Sequence, residues 1–166
     1  MNFNPKKTNN MKKKLITAAI ILIISLGSAS AQSNVGSQDY KTAIGVKFYP
    51  GAITVKHFVS DKNALEGIGY FWNRGARITG LYEIHNDIQN ASGLRWYIGP
   101  GAHLGFYNNK YYAGGTYIGV DGVLGLDYKI KSAPLNFSLD WQPSFEFGEG
   151  AGFNGNWGGL SIRYVL

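Results

Sequence analysis

The residues of this chain best suited to acid–base chemistry are its three histidines, His57, His85 and His103. Catalysis by a serine nucleophile needs a histidine and a carboxylate at hydrogen-bond distance from each other and from the hydroxyl. Asp121 lies on the predicted strand after that of His103, but the spacing identifies no serine beside them. We therefore interpret His103 and Asp121 as an interior polar pair rather than a catalytic dyad. The pattern gives His57 no clear face and predicts a turn position for His85.

Metal and phosphate chemistry find little support in the sequence. The chain contains no cysteine, which excludes disulfides, a thiolate zinc site and the lipidated cysteine of a lipoprotein. The histidines stand apart from one another, without the spacing of metal ligands. The glycine-rich segment Gly148–Gly152 lacks the lysine that a phosphate-binding loop requires. The sequence therefore predicts neither a metal site nor a cofactor.

The first 31 residues have the three-part layout of a secretory signal peptide. Lys12, Lys13 and Lys14 precede an apolar run, Leu15–Leu26, and small residues lead to Ala31. A helix over this run would be about 18 Å long, whereas the hydrocarbon core of a bilayer is roughly 30 Å thick. A cleaved signal is therefore favoured over a transmembrane anchor. We predict a signal peptide over residues 1–31, with Met11 as an alternative start, and one exported domain over residues 32–166.

The basic character of the chain belongs to this leader. The chain carries 16 basic and 10 acidic residues, and five of the basic residues precede Ala31, which leaves 11 basic and 10 acidic residues in the exported part. This near balance argues against a nucleic-acid partner. Charged residues make up 16% of the chain and aromatic residues 14%. A soluble domain usually carries about 25% charge, so the composition favours a wall that faces lipid.

The exported part shows alternation with a period of two, which is typical of β-strands. In Leu94–Phe106, for example, Trp96, Ile98 and Leu104 lie on one face and Arg95 and His103 on the other. Turn-rich segments separate eight such stretches, and an even number of strands lets the last pair with the first. The predicted strands are Thr42–Tyr49, Ala52–Ser60, Ala64–Trp72, Ala76–His85, Leu94–Phe106, Tyr117–Tyr128, Leu135–Phe145 and Leu160–Leu166.

The fold expected from this pattern is all-β, an eight-stranded antiparallel up-and-down transmembrane β-barrel. In such a barrel the bulky apolar face contacts lipid and the polar face fills the interior, where charges must be paired. The predicted interior polar network consists of Lys47, Arg77, Glu83, Arg95, His103, Asp121, Asp140 and Arg163. Aromatic residues near the strand ends, including Phe48, Tyr70, Phe71, Trp72, Phe145, Phe147 and Trp157, predict girdles at the two membrane interfaces.

The sequence resembles the small outer-membrane barrels of Gram-negative bacteria, of the OmpA/OmpX-like and opacity-protein kind. It is most similar to the outer-membrane β-barrel domain proteins of Bacteroidetes. The resemblance rests on the export signal, Trp96–Ala102, Pro134–Pro143 and Gly159–Leu166. It implies that the final strand is the signal read by the barrel assembly machinery, with outer-membrane lipid as the surroundings and a monomer as the unit. The residues matching that insertion signal are Leu160, Ile162, Tyr164 and Leu166.

Three features depart from the pattern of these families. The last residue is Leu166, where phenylalanine is usual. Pro100 lies within a predicted strand and removes a backbone donor, so we expect a bulge or kink there. With both termini in the periplasm, the first two outer loops would be very short, whereas Asn86–Gly93 would form a long periplasmic turn.

These expectations lead to one main functional hypothesis and two alternatives. The main one is a non-enzymatic integral protein of the outer membrane, and the resemblance implies a role in envelope integrity, adhesion or surface interaction. Its likeliest contact loops would be Tyr107–Gly115 and Glu146–Asn156. The alternatives are a soluble periplasmic barrel that binds a small apolar ligand, like a lipocalin, and a barrel enzyme that modifies lipid A.

Overall fold

The structure is a computed structural model that describes residues 40–73, 75–107, 115–147 and 152–166. The predicted signal peptide, residues 1–31, lies outside the described residues. In the described part of the chain, no helix has the length and apolar character needed to cross a membrane. The strands are β1 (Thr42–Phe48), β2 (Ala52–Phe58), β3 (Asn63–Trp72), β4 (Gly75–Asp87), β5 (Leu94–Tyr107), β6 (Thr116–Lys129), β7 (Leu135–Trp141), β8 (Ser144–Phe147), β9 (Gly152–Asn154) and β10 (Gly158–Val165).

These strands form a closed antiparallel barrel. From β1 to β6 each strand pairs with the next one along the chain. Both β7 and β8 pair with β6, β9 pairs with β8, and β10 pairs with β7 and with β1. The wall therefore has eight strands, of which β7–β8 form the seventh and β9–β10 the eighth. The prediction of an all-β, eight-stranded, up-and-down antiparallel barrel is confirmed.

Two prolines within the barrel wall, Pro100 and Pro143, interrupt strand pairing without shifting the register. Leu81 pairs with Gly101 and Ile84 with Ile98, so the two rows between them carry no bridge, but the alignment of β4 with β5 is unchanged. The bulge that we expected at Pro100 is therefore absent from these described strands. Pro143 separates β7 from β8 in the same way, because proline has no backbone N–H to donate. Its carbonyl still accepts a hydrogen bond from the Gly122 N–H at 2.8 Å.

The barrel has two different ends and an uneven wall. At the end called here the terminal end, the Leu166 N–H donates to the Thr42 carbonyl at 2.9 Å, and the β2–β3, β4–β5 and β6–β7 turns lie at the same end. The opposite end is called the loop end. Strands β1 and β2 have 7 residues each, whereas β5 and β6 have 14 each. The barrel wall is therefore shortest, measured along its strands, at the β1–β2 hairpin.

Two predicted loops differ from the observed elements. The expected loop Asn86–Gly93 begins too early, because β4 continues to Asp87. The expected loop Glu146–Asn156 contains the end of β8 and all of β9, which pair with each other through Phe145 and Phe153. Most of the predicted loop Tyr107–Gly115 lies outside the described residues.

Alternation along the strands separates a polar inside from an apolar outside. On β4, Arg77, Thr79 and Glu83 are buried, whereas Ile78 and Ile84 on the same strand are 59% and 40% exposed. Side chains in a strand point alternately to the two faces of the sheet, so each strand contributes to both surfaces. Most of the large apolar residues therefore form the outer wall, and most of the inward side chains are polar. A smaller apolar cluster, which includes Ile68, Leu81 and Val123, is also buried inside.

The aromatic residues near the strand ends divide into an outward group and an inward group, and the predicted girdle position is wrong for the inward group. Phe48, Phe71 and Phe147 are outward and about half exposed. Tyr70, in contrast, is fully buried inside the barrel, and Trp157 packs against it with ring centroids 4.9 Å apart. Trp72 also packs on Trp157, with a centroid distance of 5.5 Å. The strand ends of this barrel thus carry two kinds of aromatic ring. Some point outward, and others pack together on the inside near the loop end.

Gly125 provides the space in which two central side chains meet. It pairs with Tyr97 on β5 and with Asp140 on β7. A Cβ atom at Gly125 would lie 2.5 Å from Tyr97 Cζ and 2.8 Å from Asp140 Cβ. We expect Gly125→Ala to lower the free energy of unfolding by about 1–3 kcal/mol, since the crowded ring must move.

The matched control for this prediction is Gly80→Ala. A Cβ atom at Gly80, on the outer face of β4, would have no atom within 4 Å. Denaturant titration of both variants in detergent micelles measures the difference. Equal stability of the two variants would contradict the packing argument.

Candidate functional site: the charged barrel interior

The barrel interior holds a balanced set of charged side chains. Among the described residues, five basic and five acidic side chains are buried. Burying one unpaired charge costs several kcal/mol, so such a set is stable only when its members are paired. The ten residues are Lys47, Lys56, Glu66, Arg77, Glu83, Arg95, Asp121, Asp127, Asp140 and Arg163.

Lys56 on β2 is the centre of the largest cluster. Its Nζ lies 2.8 Å from Glu83 Oε2, 3.2 Å from Asp127 Oδ1 and 3.5 Å from Glu66 Oε2. The side chains of Lys56, Glu66 and Glu83 have no exposed surface, and that of Asp127 is 2% exposed. One ammonium group therefore joins carboxylates from three other strands, β3, β4 and β6.

Arg163 on β10 joins the same cluster from beyond β1, the strand that separates β10 from β2. Its guanidinium forms an ion pair with Glu66 and donates to Ser138 Oγ at 2.8 Å and to Asn136 Oδ1 at 3.2 Å. Asn136 in turn donates to Asp127 Oδ2 at 2.7 Å. The planar guanidinium carries five donors, and it uses them here to connect β3, β7 and β10 across the interior.

An aromatic ring covers the Lys56 cluster. Lys56 Nζ lies 4.3 Å from the centre of the Tyr97 ring, within the range of a cation–π contact. His85 stacks on Tyr97 with ring centroids 4.8 Å apart, and its Nε2 lies 2.8 Å from Glu83 Oε2. The prediction that His85 is a turn residue is therefore wrong. His85 lies within β4, fully buried, because the strand continues two residues beyond it.

A second group of hydrogen bonds crosses the middle of the barrel. Lys47 Nζ donates to both carboxylate oxygens of Asp140, at 2.6 and 2.7 Å. The Tyr97 hydroxyl donates to Asp140 Oδ2 at 2.9 Å. Gln142 donates to Asp140 Oδ1 at 3.0 Å and accepts from the Tyr70 hydroxyl at 2.6 Å. These side chains fill the centre of the barrel with fully buried polar contacts.

The third group lies toward the loop end and contains the predicted histidine pair. His103 Nδ1 lies 2.9 Å from Asp121 Oδ2, and Arg77 forms an ion pair with the other oxygen of Asp121. Glu146 Oε1 lies 3.7 Å from His103 Nε2 and 4.0 Å from the Arg77 guanidinium. The indole ring of Trp157 covers this group, with its centre 4.2 Å from Arg77 Cζ.

The histidine geometry gives no support to a serine nucleophile. Ser144 pairs with Asp121, but its hydroxyl accepts a hydrogen bond from Arg77 Nη1 at 3.4 Å. Among the described residues, no hydrogen-bond partner is found for His103 Nε2. His57 lies on the outer face of β2, where its Nδ1 is 2.8 Å from Thr42 Oγ1. In the described part of the chain, no three metal-binding side chains converge on one point.

The structure places all eight residues of the predicted interior network on the inner face. Seven of them belong to the clusters above, and Arg95 lies at the terminal end, with Nε 3.0 Å from Asp87 Oδ1. The predicted network left out three of the ten buried charged residues: Lys56, Glu66 and Asp127. Their positions in strands could have revealed them, because each follows an outward apolar neighbour, which is Val55, Leu65 or Leu126 respectively.

The predicted insertion signal lies on the outer face of β10 and the chain end. Leu160, Tyr164 and Leu166 are 43%, 56% and 60% exposed, and Ile162 is partly exposed. Arg163 and Ser161 between them point inward.

The fold and this interior define a class of protein: a small, closed, antiparallel barrel with an apolar exterior and a filled, charge-paired interior. No family model, no curated protein and no solved structure matches the chain. Function therefore has to be argued from the geometry of the barrel.

Proposed function

We propose that this chain is an integral, non-enzymatic β-barrel protein of the bacterial outer membrane. The observation that supports this most is the distribution of charge. Every charged residue in the described part of the chain lies inside the barrel or at one of its two ends. Between the ends, the described outer wall presents apolar and aromatic side chains, such as Ile53, Leu124 and Leu139, at 50–58% exposure.

Such a wall suits hydrocarbon better than water. Apolar surface gains roughly 25 cal/mol per Å² when it leaves water, and in water this barrel would leave its outward apolar side chains in contact with solvent. The closed ladder also satisfies the backbone groups of the wall, which is the condition for strands to cross a lipid core. Strands β4, β5 and β6 have 13 or 14 residues, more than the 9–11 or so that a tilted membrane strand needs.

The interior argues against the lipocalin-like alternative. A pocket for a small apolar ligand needs apolar walls, whereas the inner face here carries paired charges from Lys47 and Asp140 to Arg163 and Glu66. For the lipid A-modifying alternative, no serine is found in contact with His103 among the described residues, where its partners are Asp121 and Glu146. The filled interior also favours a structural or surface-binding role over that of a general pore. We place this role in envelope integrity, adhesion or surface contact.

Subcellular fractionation tests the proposal. We expect the chain in outer membranes, resistant to carbonate extraction and migrating faster on gels before heating than after. Release with the periplasmic contents would contradict the proposal.

Substitutions in the final strand test the proposal more specifically, through the predicted insertion signal. Replacing Tyr164 and Leu166 together by serine removes two outward side chains of the predicted insertion signal. We expect a several-fold lower yield of heat-modifiable barrel in outer membranes. Ser161→Ala is the matched control, because Ser161 is buried on the inner face of the same strand and lacks a hydrogen-bond partner among the described residues. An equal loss in both variants would contradict a role for the outer face as an insertion signal.

A further inference from the structure

The described residues at the terminal end of the barrel are mainly basic. In the described part of the chain, the loop end carries a single charged residue outside the fully buried clusters, Glu146, whose side chain is 14% exposed. The terminal end carries more basic than acidic residues: Lys41, Lys62, Lys129 and Lys131 with Asp61 and Asp87. The terminal end is therefore the basic end of the described barrel.

A cavity of about 330 Å³ opens at this basic end, between the β4–β5 turn and the β6–β7 turn. Three basic side chains line it: Arg95, Lys129 and Lys131. Its lining also includes apolar and aromatic side chains, among them Tyr40, Ile88, Ala91 and Leu94. The cavity thus lies at the mouth of the barrel interior at the terminal end, with basic and apolar residues in its lining.

Two of the three basic side chains of this cavity, Arg95 and Lys129, are held in place by the protein. Arg95 is 7% exposed, with Nε 3.0 Å from Asp87 Oδ1 and Nη2 donating to the Asp61 carbonyl at 2.9 Å. Lys129 Nζ donates to the Ile130 and Ala133 carbonyls at 2.6 and 2.8 Å. An ammonium has three protons, so these two bonds leave one proton of Lys129 for a ligand.

The acidic side chains that line the cavity have partners within the protein. Asp87 is paired with Arg95. Asp127 lies at the floor, where Lys56 and Asn136 contact its two oxygens. Burial, assisted by the charge of Asp127, raises the pKa of the Tyr40 phenol above its ordinary value, so the hydroxyl remains a neutral donor 3.4 Å from Asp127. The positive charges of Lys129 and Lys131 therefore dominate the mouth of the cavity.

We infer that this cavity binds the phosphate headgroup of an anionic phospholipid in the periplasmic leaflet. The inference rests on the proposed function, because it needs the terminal end to lie at a membrane surface. Basic pockets at the edge of a membrane protein attract anionic headgroups, with each lysine contributing to the attraction. The apolar lining then contacts the glycerol and the first methylene groups of the lipid. A free phosphate ion would use the same basic residues but gain nothing from Ile88 and Leu94.

Native mass spectrometry of the full chain, purified from outer membranes in detergent, tests this inference. The probes are phosphatidylglycerol and phosphatidylcholine with identical acyl chains. We expect one phosphatidylglycerol molecule to be retained at concentrations at which phosphatidylcholine is not. The double variant Lys129→Gln with Lys131→Gln should weaken that retention about tenfold or more, because it removes both lysines of the cavity.

The matched control removes the same charge from elsewhere on the same end. Lys41→Gln with Lys62→Gln changes two lysines that do not line the cavity, and retention should stay within about twofold of the parent. Ala91→Trp is an independent variant that keeps every charge but fills the cavity, and it should also abolish retention. Each variant is first checked for heat-modifiable migration, and only folded barrels are compared.

Three results would overturn the inference. One is equal retention of the two lipids. Another is an equal loss in the two double lysine variants, which would indicate a diffuse charge effect. The third is displacement of phosphatidylglycerol by an equal concentration of inorganic phosphate, which would indicate a site for the free anion. The proposed function fails separately, if the parent chain is not recovered from outer membranes at all.

Discussion

Replacing Lys56 by methionine is expected to lower the free energy of unfolding of this barrel by about 3–5 kcal/mol. Methionine fills a similar volume but leaves Glu66, Glu83 and Asp127 without the ammonium that lies 2.8–3.5 Å from each of them. These carboxylates belong to three different strands, β3, β4 and β6, so their repulsion would act between strands. Denaturant titration in phospholipid vesicles, followed by gel migration, measures the loss.

The control for Lys56→Met is Lys62→Met, a change from the same residue type at an exposed turn position. That substitution should alter stability by no more than about 0.5 kcal/mol. Adding Glu83→Gln to Lys56→Met should restore part of the stability, because it removes one of the uncompensated charges. A loss of less than about 1 kcal/mol in Lys56→Met would show that the carboxylates find other partners or water.

A charged residue on the outer wall should be nearly as damaging if that wall contacts lipid. Leu124 lies on the outer face of β6 and is 50% exposed, near the middle of this 14-residue strand. We expect Leu124→Arg to cost about 2–4 kcal/mol in a bilayer, since an arginine in the middle of the lipid face must be desolvated. Equilibrium unfolding of the vesicle-inserted barrel is the appropriate measurement.

Depth in the membrane provides the control for this second prediction. Leu166 is also outward and 60% exposed, but it is the last residue, at the terminal end. Leu166→Arg should therefore cost only about 0–1 kcal/mol, the range for a position near the interface. Equal costs at the two positions, or a gain in solubility with Leu124→Arg, would argue for a wall in contact with water.

The fold could be predicted from sequence because its signal is local. In Leu94–Phe106 the alternation of Trp96 and Ile98 with Arg95 and Tyr97 is independent of what lies on the neighbouring strands. The structure shows these two sets on opposite faces of β5. The same local signal separates Leu160 and Tyr164 from Ser161 and Arg163 at the end of the chain.

The pairing inside the barrel could not be predicted, because it depends on how the strands are staggered around the axis. Arg163 and Glu66 are 97 residues apart and meet across the interior, on strands that are not neighbours. No periodicity in either strand indicates that contact. The end of β4 was missed for a related reason. Asn86 and Asp87 have turn character by composition, but pairing with Trp96 and Arg95 extends the strand through them.

The uneven wall has a consequence for the surrounding lipid. With a rise of about 3.4 Å per residue and a tilt of about 45°, a strand of 14 residues spans roughly 33 Å of bilayer, but one of 7 residues spans only about 17 Å. For a barrel inserted as proposed, acyl tails beside the short β1–β2 hairpin must compress or tilt to match it. Such mismatch costs a fraction of a kcal/mol per Å. The protein would thus carry a fixed patch of thinned bilayer on the side where its first and last strands close the cylinder.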